Sequence, residues 1–274
     1  FTIRPDGLIQ LYDTDFFLEL DMGTESKKQL EEKWDHYRDF VRSSEFTHKE
    51  RKIMILFITE NVKDVEGRKN LVRFTAINKI CDLFQDSFDM LIGSKDELLD
   101  ILFNRFIPEM NQQNEAKNTL LQILQEKHQF RVDFAYPLKE ALNGGDYEFY
   151  IRKVNEDKRI MMENGRLQEY VMDDYSLRQL SVIQRIQFHN RNSQVFHLHF
   201  KRHIPYIVIA DNEDVLFQDL KMADVLTVEN VYFTTPKRLN ERPFHEALFQ
   251  FDVQGDIYHF TDSGFRQRIL EKRN

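Results

Sequence analysis

The sequence predicts an α/β fold, with a mixed sheet flanked by helices, from the order in which strand and helix patterns follow one another. Residues 3–12 and 16–22 are two strand-like runs joined by a polar turn, which is typical of a β-hairpin. The segment KIMILFIT, residues 52–59, is a continuous apolar run of the kind that is buried on both faces of a sheet. A further short strand is predicted over 88–93. With a helix before and after the apolar run, the order is ββαβαβ.

Helical spacing of apolar residues predicts the two helices of this order. Thr24 or Ser26 can cap the first, which runs to about residue 43. Its apolar side chains recur at the spacing of one helix face: Leu30, Trp34, Tyr37 and Val41. The second is predicted over about 65–85 and contains the single cysteine, Cys81, as a small buried side chain. One cysteine gives no disulfide framework, which indicates a reducing compartment.

The second half of the chain is predicted to be a mixed α/β or α+β region over 109–274. Its pattern gives helices over 111–127 and 176–187, and strands over 129–136, 147–154 and 204–210. Residues 203–235 roughly repeat the strand-helix-strand order of the first half.

The composition is typical of a globular protein, since 41% of the 274 residues are hydrophobic and 31% are charged. No apolar run reaches about 18 residues and no leader peptide is visible, so we expect a soluble, cytoplasmic protein without membrane contact. The net charge of −8 argues against nucleic-acid binding by the whole surface, but a local basic patch could still bind DNA. Because Phe1 opens the chain almost at a strand, we expect an upstream segment to be missing.

Three acidic residues of the predicted hairpin are candidate metal ligands. A turn centred on Asp13 and Thr14 would place Asp6 opposite Asp21, and Leu8 opposite Glu19. Cross-strand partners share a face, so the carboxylates of Asp6, Glu19 and Asp21 would converge and repel one another. A hard divalent cation, Mg²⁺ or Mn²⁺, would remove this repulsion. The alternative is that these acids form a solvated face.

Lys33 lies on the flank of the apolar face of the first helix, from which its ammonium group could reach the carboxylates. The alternative is that its side chain only follows the apolar surface towards solvent.

These residues resemble a known family. Arg4-Pro5-Asp6, followed after twelve residues by Glu19-Leu20-Asp21 and then by a helix with Lys33 and Tyr37, resembles a PD-(D/E)xK nuclease core. The segment FFLELDMGTES and this helix are similar to the plasmid replication-relaxation family, which includes the MOBC-type relaxases. The resemblance extends from Ile3 to about Gly93, and it implies a restriction-endonuclease-like domain over 1–108.

The resemblance implies metal-dependent nicking of DNA in plasmid mobilisation or replication initiation, with replication or mobilisation proteins as possible partners. Asp6, Glu19 and Asp21 would be the ligands of Mg²⁺ or Mn²⁺, and Lys33 would be the catalytic cation, supported by Arg4 and Tyr37. The sequence departs from the nuclease pattern at Asp21, which stands where the lysine is usual. Either Lys33 replaces that lysine or the site has lost activity.

Other interpretations remain open. His197-Leu198-His199 fits the pattern of HUH endonucleases, in which two histidines on one strand face bind a metal. A second group of residues is predicted to contact the DNA backbone: Lys201, Arg202, Lys237 and Arg238. The chain could also be a catalytically inactive DNA-binding or regulatory module, or a structural partner in a replication complex. The sequence has no glycine-rich phosphate loop, so ATP use is not expected. No serine or cysteine triad is visible in it.

Overall fold

The computed structural model describes most of the chain, as two compact units. The described residues are 3–23, 25–47, 51–59, 72–73, 75–77, 88–111, 114–133, 147–163, 166–200, 204–226, 228–262 and 265–272, with only the backbone described at 163, 166 and 193–200. Unit 1 comprises Phe1–Gln113 and Leu177–Gln184, and unit 2 comprises Asn114–Ser176 and Arg185–Asn274. The main division therefore lies close to the predicted boundary between 108 and 109. Segment 177–184, which the prediction placed in the second domain, belongs to unit 1.

Unit 1 contains a four-stranded mixed sheet. Its strands are β1 (Gly7–Leu11), β2 (Thr14–Asp21), β3 (Lys52–Thr59) and β4 (Phe88–Gly93), in the spatial order β1-β2-β3-β4. β1 and β2 form the antiparallel hairpin, while β2, β3 and β4 run parallel. The predicted ββ hairpin and the mixed sheet are confirmed. Of the helix predicted over 65–85, residues 72–73 and 75–77 are helical, and the remainder, with Cys81, lies outside the described residues.

Helices cover both faces of this sheet. One face packs against α1 (Lys27–Val41), which is followed by the short α2 (Ser44–Thr47). The other packs against α3 (Lys95–Ile101), which continues through a π-helical segment, Leu102–Phe106, into α4 (Ile107–Met110). The apolar run of β3 is buried between these two layers, because its alternate side chains face opposite helices.

A buried carboxylate in β4 holds the segment 177–184 to unit 1. Asp89 Oδ1 accepts hydrogen bonds from the backbone N–H groups of Leu180 and Ser181, at 3.2 and 3.4 Å. These amides belong to the first turn of α6 (Gln179–Phe200), where N–H groups have no partner within the helix. Burial raises the pKa of Asp89, although Arg178 and hydrogen bonds to Ser181 and Met90 favour its charged form.

Unit 2 contains an eight-stranded mixed sheet in the spatial order β14-β13-β12-β11-β10-β9-β6-β5. The strands of this sheet are β5 (Phe130–Asp133), β6 (Phe149–Lys153), β9 (Glu169–Asp174), β10 (Tyr206–Ile209), β11 (Val231–Thr234), β12 (Phe249–Phe251), β13 (Ile257–Phe260) and β14 (Arg268–Glu271). β9, β10 and β11 are parallel, and the other pairs are antiparallel. A separate two-stranded hairpin consists of β7 (Met162–Glu163) and β8 (Arg166–Leu167).

The helices of unit 2 are distributed between the two faces of its sheet. They are α5 (Glu115–Gln122), which continues through the π-helical segment Ile123–Lys127, the part of α6 from Arg185 onward, α7 (Glu213–Met222), α8 (Pro236–Glu241) and α9 (Phe244–Ala247). Leu120 and Leu124, from α5 and its π-helical extension, pack in an apolar cluster with Phe149 and Met172 of the sheet. Two mixed sheets flanked by helices confirm the predicted mixed α/β class. Among the described residues, no helix has the length and hydropathy of a transmembrane span.

Candidate functional site

The hairpin that carries the predicted acids has a different register from the one predicted. Gly7 lies opposite Leu18 and Leu11 opposite Thr14, so the turn consists of Tyr12 and Asp13, with Tyr12 at a positive φ of 48°. The predicted pairing of Asp6 with Asp21, and of Leu8 with Glu19, is wrong by two positions, since Leu8 lies opposite Phe17. A shift of two keeps each side chain on its expected face.

Arg51 supplies the physical reason for this register. Its guanidinium group donates to the carbonyl oxygens of Tyr12 and Thr14, at 2.6 and 3.1 Å, and to the Asp15 carboxylate at 2.6 Å. These contacts hold the turn one residue earlier than the sequence suggests, and they come from a residue far along the chain.

Two of the three predicted acids bind backbone amides. Asp6 is exposed, and its Oδ2 accepts the N–H of Leu20 at 2.8 Å. Asp21 is buried at the end of β2, and its Oδ1 accepts the N–H of Gly23 at 2.9 Å, which starts the turn into α1. Within the described ranges, no group of three or more His, Cys, Asp or Glu side chains is arranged to hold a metal ion. The predicted convergence of Asp6, Glu19 and Asp21 is therefore not found, and their role as metal ligands stays a prediction.

Glu19 forms the centre of a buried polar cluster. Its carboxylate accepts a hydrogen bond from the Tyr37 hydroxyl, and the Lys33 ammonium lies 3.1 Å from its Oε2. Lys33 also pairs with Glu25 at 3.0 Å and lies over the Phe57 ring. The predicted contact of Lys33 is thus confirmed for Glu19, and its catalytic role stays a prediction.

Helix α1 brings Lys33 and Tyr37 onto Glu19 because of where it begins and which face it buries. Ser26 is the N-cap, and it exchanges hydrogen bonds with Gln29 in a capping box, which decides between the two predicted caps. The buried face carries Leu30, Trp34, Tyr37, Phe40 and Val41. Lys33 and Tyr37 are four residues apart and so lie on one side of the helix.

The electrostatics of the cluster follow from its burial. Burial raises the pKa of Glu19, and the hydrogen bond from Tyr37 and the charge of Lys33 offset this only in part. Burial and the Glu19 charge raise the pKa of Tyr37, which keeps its proton. Burial acts to lower the pKa of Lys33, but Glu19 and Glu25 outweigh it and the pKa is raised. A carboxylate with a raised pKa accepts protons more readily near neutral pH than an ordinary glutamate does.

A pocket of about 400 Å³ opens beside this cluster. Its wall includes Arg4, Glu19, Lys33 and Tyr37, together with Ile3, Gln29, Glu32 and His36. His36 is not among the predicted site residues, although its position next to Tyr37 and three residues after Lys33 places it at the edge of the same helix face. The pocket thus combines one buried carboxylate with cationic side chains at its wall.

We expect Lys33→Met to destabilise unit 1 by about 1–2 kcal/mol, and more in mildly alkaline than in mildly acidic buffer. The folded-state pKa of Glu19 is raised, so its contribution to stability is highest below its unfolded pKa and falls as pH rises towards the folded pKa. Removing Lys33 raises the folded-state pKa of Glu19 further, so stability decreases more as pH rises. Urea unfolding at both pH values measures it, with the exposed Lys28→Met on the same helix as control. An equal loss of unfolding free energy at both pH values would contradict the ion pair between Lys33 and Glu19 as the cause.

The four residues predicted to contact DNA differ in their exposure and in their contacts. Arg238 is buried, and its guanidinium group pairs with Glu213 at 2.9 Å and with Glu271 at 3.3 Å. It also lies over the Phe249 ring. Its side chain is therefore engaged inside unit 2, which contradicts the predicted phosphate contact. Lys237 is exposed, while Lys201 and Arg202 lie outside the described residues.

Arg238→Ala is expected to lower the stability of unit 2 by about 2 kcal/mol, because Glu213 loses the cation that it pairs with and Glu271 keeps only Arg242. Lys237→Ala is the matched control on the same helix and is expected to change stability by less than about 0.5 kcal/mol. Chemical denaturation measures both. Weaker DNA binding by folded Arg238→Ala with unchanged stability would restore the original assignment.

The HUH interpretation is wrong, because residues 179–200 form one helix with a single non-helical residue, Asn192. His197 and His199 are therefore on helical backbone. Two residues apart on a helix, side chains diverge by about 200°, whereas the HUH arrangement needs a strand that presents both on one face.

The fold and the site together define a class: a mixed α/β protein with a buried glutamate, lysine and tyrosine cluster beside a pocket that charged side chains line. The family model described as replication-relaxation matches residues 2–56, which span the hairpin, α1, α2 and the first half of β3. The predicted resemblance to the replication-relaxation family is confirmed over this segment. No curated protein and no solved structure matches the chain, and the nuclease-like core is not confirmed.

Proposed function

We propose that this protein cuts one strand of DNA in plasmid mobilisation or replication initiation, with the pocket at Glu19 as its reactive centre. One observation carries the proposal. Inside the segment that matches the replication-relaxation family, α1 brings Lys33 and Tyr37 onto a buried glutamate at the wall of a pocket that Arg4 also lines. A role in DNA processing and a site suited to a phosphodiester thus coincide in the same short segment.

The residues of the pocket have complementary roles in this proposal. Arg4 is exposed and can attract a phosphate through charge-assisted hydrogen bonds. Lys33, next to the carboxylate, offsets the charge that develops on the phosphate as it is attacked. Glu19 accepts the proton of the attacking hydroxyl group or water, a role that suits its raised pKa. As the new P–O bond forms, the bond from phosphorus to one deoxyribose oxygen breaks, and that oxygen leaves and takes up a proton from solvent. Tyr37 is a positioning residue, because its hydroxyl donates to Glu19 and fixes the carboxylate.

Mg²⁺ or Mn²⁺ remains the proposed cofactor, with Asp6, Glu19 and Asp21 as its predicted ligands. The described geometry does not fit a preassembled three-carboxylate site, since Asp6 and Asp21 bind backbone amides and Glu19 is engaged by Lys33 and Tyr37. We therefore assign no step to the metal. We expect any metal binding in the absence of DNA to be weak.

A second candidate is a DNA-binding or regulatory module that no longer cuts. The observation in its favour is that Asp21 stands where the nuclease pattern has lysine and is buried against the backbone of the turn. Such a module would bind plasmid DNA without conversion of supercoiled to open-circular DNA, and its binding would not depend on a divalent ion.

The experiment that tests the proposal is conversion of supercoiled plasmid to the open-circular form by the purified chain, with Mg²⁺, with Mn²⁺ and with EDTA. A plasmid that carries its own origin or transfer region is the substrate. We expect nicking with either metal and none with EDTA. DNA binding without nicking under all three conditions would favour the inactive module, and neither binding nor nicking would remove both.

Arg4→Ala is expected to weaken DNA binding and nicking by about tenfold, because each charge-assisted hydrogen bond contributes roughly 1.5–3 kcal/mol. Arg42→Ala, an exposed arginine just after α1, is the matched control that removes the same charge away from the pocket. Titration of labelled plasmid fragments at constant salt measures the difference. Equal losses in the two variants would mean that the pocket contributes only net charge.

A further inference from the structure

Unit 2 repeats the strand order of unit 1. In unit 1 the adjacent strands β1, β2, β3 and β4 are related as antiparallel, parallel and parallel. In unit 2 the adjacent strands β6, β9, β10 and β11 have the same relations in the same order. A helix follows the second strand in both, α1 after β2 and α6 after β9. The small hairpin β7-β8 is an insertion between the first two strands of the unit 2 set.

The acid that precedes the first strand has the same partner in both units. Asp6 stands directly before β1, and its carboxylate accepts the N–H of Leu20, near the end of β2, at 2.8 Å. Glu148 stands directly before β6, and its Oε2 accepts the N–H of Asp174, at the end of β9, at 3.1 Å.

Each second strand also ends in an aspartate that caps the following turn, although the strand registers align Asp174 with Leu20, one residue before Asp21. Asp21 Oδ1 accepts the N–H of Gly23 at 2.9 Å, and Asp174 Oδ1 accepts the N–H of Ser176 at 2.8 Å. In each unit this turn leads from the strand into the following helix.

The inner acid of the second strand has a cation and a tyrosine in both units. Glu19 binds Lys33 of α1 and the hydroxyl of Tyr37. Asp173 pairs with Arg185 of α6, and it accepts the hydroxyl of Tyr206 at 2.8 Å. The tyrosine comes from the helix in unit 1 and from the neighbouring strand β10 in unit 2, so the chemistry of the contact is shared although its source differs.

The group around Glu19 in unit 1 is more exposed than the group around Asp173 in unit 2. Glu19 lines a pocket, and the Lys33 side chain keeps 20% of its surface accessible. The side chains of Asp173 and Arg185 have no accessible surface, and neither has Tyr206. Arg185 also lies over the Tyr147 ring, and Tyr206 stacks on His189, so aromatic side chains seal the unit 2 pair.

We infer that unit 2 is a duplicated copy of the unit 1 layer in which the acid and cation have closed into a structural ion pair. Of these two groups of residues, the one in unit 1 is then the open centre, and the one in unit 2 supports the fold of its unit. The part of this inference that concerns activity rests on the proposed function, whereas the part that concerns stability does not.

The test compares thermal unfolding and plasmid nicking for Asp173→Asn, Arg185→Met and the double variant. Because removing one member of a buried pair leaves an uncompensated charge, we expect each single variant to lower Tm by about 10 °C. The double variant should be no less stable than the poorer single one, since the effects within one pair are not additive. Folded variants should nick plasmid at the wild-type rate at room temperature. Tyr206→Phe removes only the hydroxyl that Asp173 accepts, and it serves if the charge variants do not fold. For it we expect a fall in Tm of about 5 °C with nicking retained.

Three results would overturn the inference. The first is a Tm of the single variants within about 2 °C of the wild type, a shift smaller than a loss of roughly 1 kcal/mol would cause. The second is additive losses of stability in the double variant, and the third is loss of nicking by a variant that is folded. If the wild-type chain does not nick plasmid, the proposed function fails. The Tm values and their additivity then decide the structural part alone.

Discussion

Glu19→Gln is expected to lower plasmid nicking by about a hundredfold or more while the chain stays folded, because a proton acceptor that acts in the transition state contributes roughly 10²–10⁴ in rate. Glutamine has nearly the shape of glutamate, and its carbonyl oxygen can still accept the Tyr37 hydroxyl. Lys33 loses one partner and keeps Glu25 at 3.0 Å. The substitution therefore removes the basic group with little change to the packing around it.

The same variant has a distinct signature in stability. Burial raises the pKa of Glu19, so folding favours its protonated form, and the stability of the wild type falls as pH rises from its unfolded pKa towards its folded pKa. Glutamine does not titrate, so this slope should be absent in the variant. At neutral pH we expect a stability equal to or slightly above that of the wild type, measured by urea unfolding across the pH range.

Glu45→Gln is the matched control, since Glu45 is an exposed glutamate of α2 in the same unit and in the same family-matched segment. It should nick at the wild-type rate and keep the wild-type pH profile. Full nicking by Glu19→Gln would remove Glu19 from the reaction. If Glu19→Gln lost nicking because the chain was unfolded, the role of Glu19 would be structural instead.

Trp34→Ala is expected to destabilise unit 1 by about 3–5 kcal/mol, the largest stability effect of a single substitution in α1. Trp34 has no accessible surface, and its ring packs on Phe57 at 4.9 Å and on Tyr37 at 5.6 Å between centroids. Its loss would leave a cavity between α1 and β3, and it would loosen the helix that carries Lys33 and Tyr37. Nicking should therefore fall together with stability.

Trp34→Phe separates ring packing from other contributions. In the part of the chain that the structure describes, the Trp34 Nε1 has no hydrogen-bond partner, so phenylalanine loses only volume and should cost about 1–2 kcal/mol. Lys28→Ala, an exposed change in the same helix, should cost less than about 0.5 kcal/mol. A loss in Trp34→Phe as large as that in Trp34→Ala would contradict the packing argument.

Local pattern predicted much of the fold, and most sharply where burial is continuous. β3 and β4 occupy the predicted residues 52–59 and 88–93. A strand that is buried on both faces is a continuous apolar run, so its ends are visible in the sequence. The first helix ends two residues before the predicted limit. The helix predicted over 111–127 begins at Glu115 instead and ends in a π-helical segment, for which the apolar spacing gives no signal.

The site was predicted only in part, because its geometry depends on residues far apart in sequence. Glu19 and Lys33 are brought together by a strand and the next helix, which local periodicity can indicate. The hairpin register depends on Arg51, and the burial of Arg238 depends on Glu213 and Glu271. The sequence pattern around each residue does not predict these contacts. The histidines at 197 and 199 failed as a strand motif because three residues cannot distinguish a strand from the end of a long helix.

The way segment 177–184 belongs to unit 1 has a consequence for dissecting the protein. A fragment that stops at residue 113 would contain every strand of the first sheet, yet it would lack the amides of Leu180 and Ser181 that the buried Asp89 carboxylate binds. The first half of the sequence is therefore not a free-standing piece. To be cut out intact, unit 1 needs a short graft from the middle of the second half.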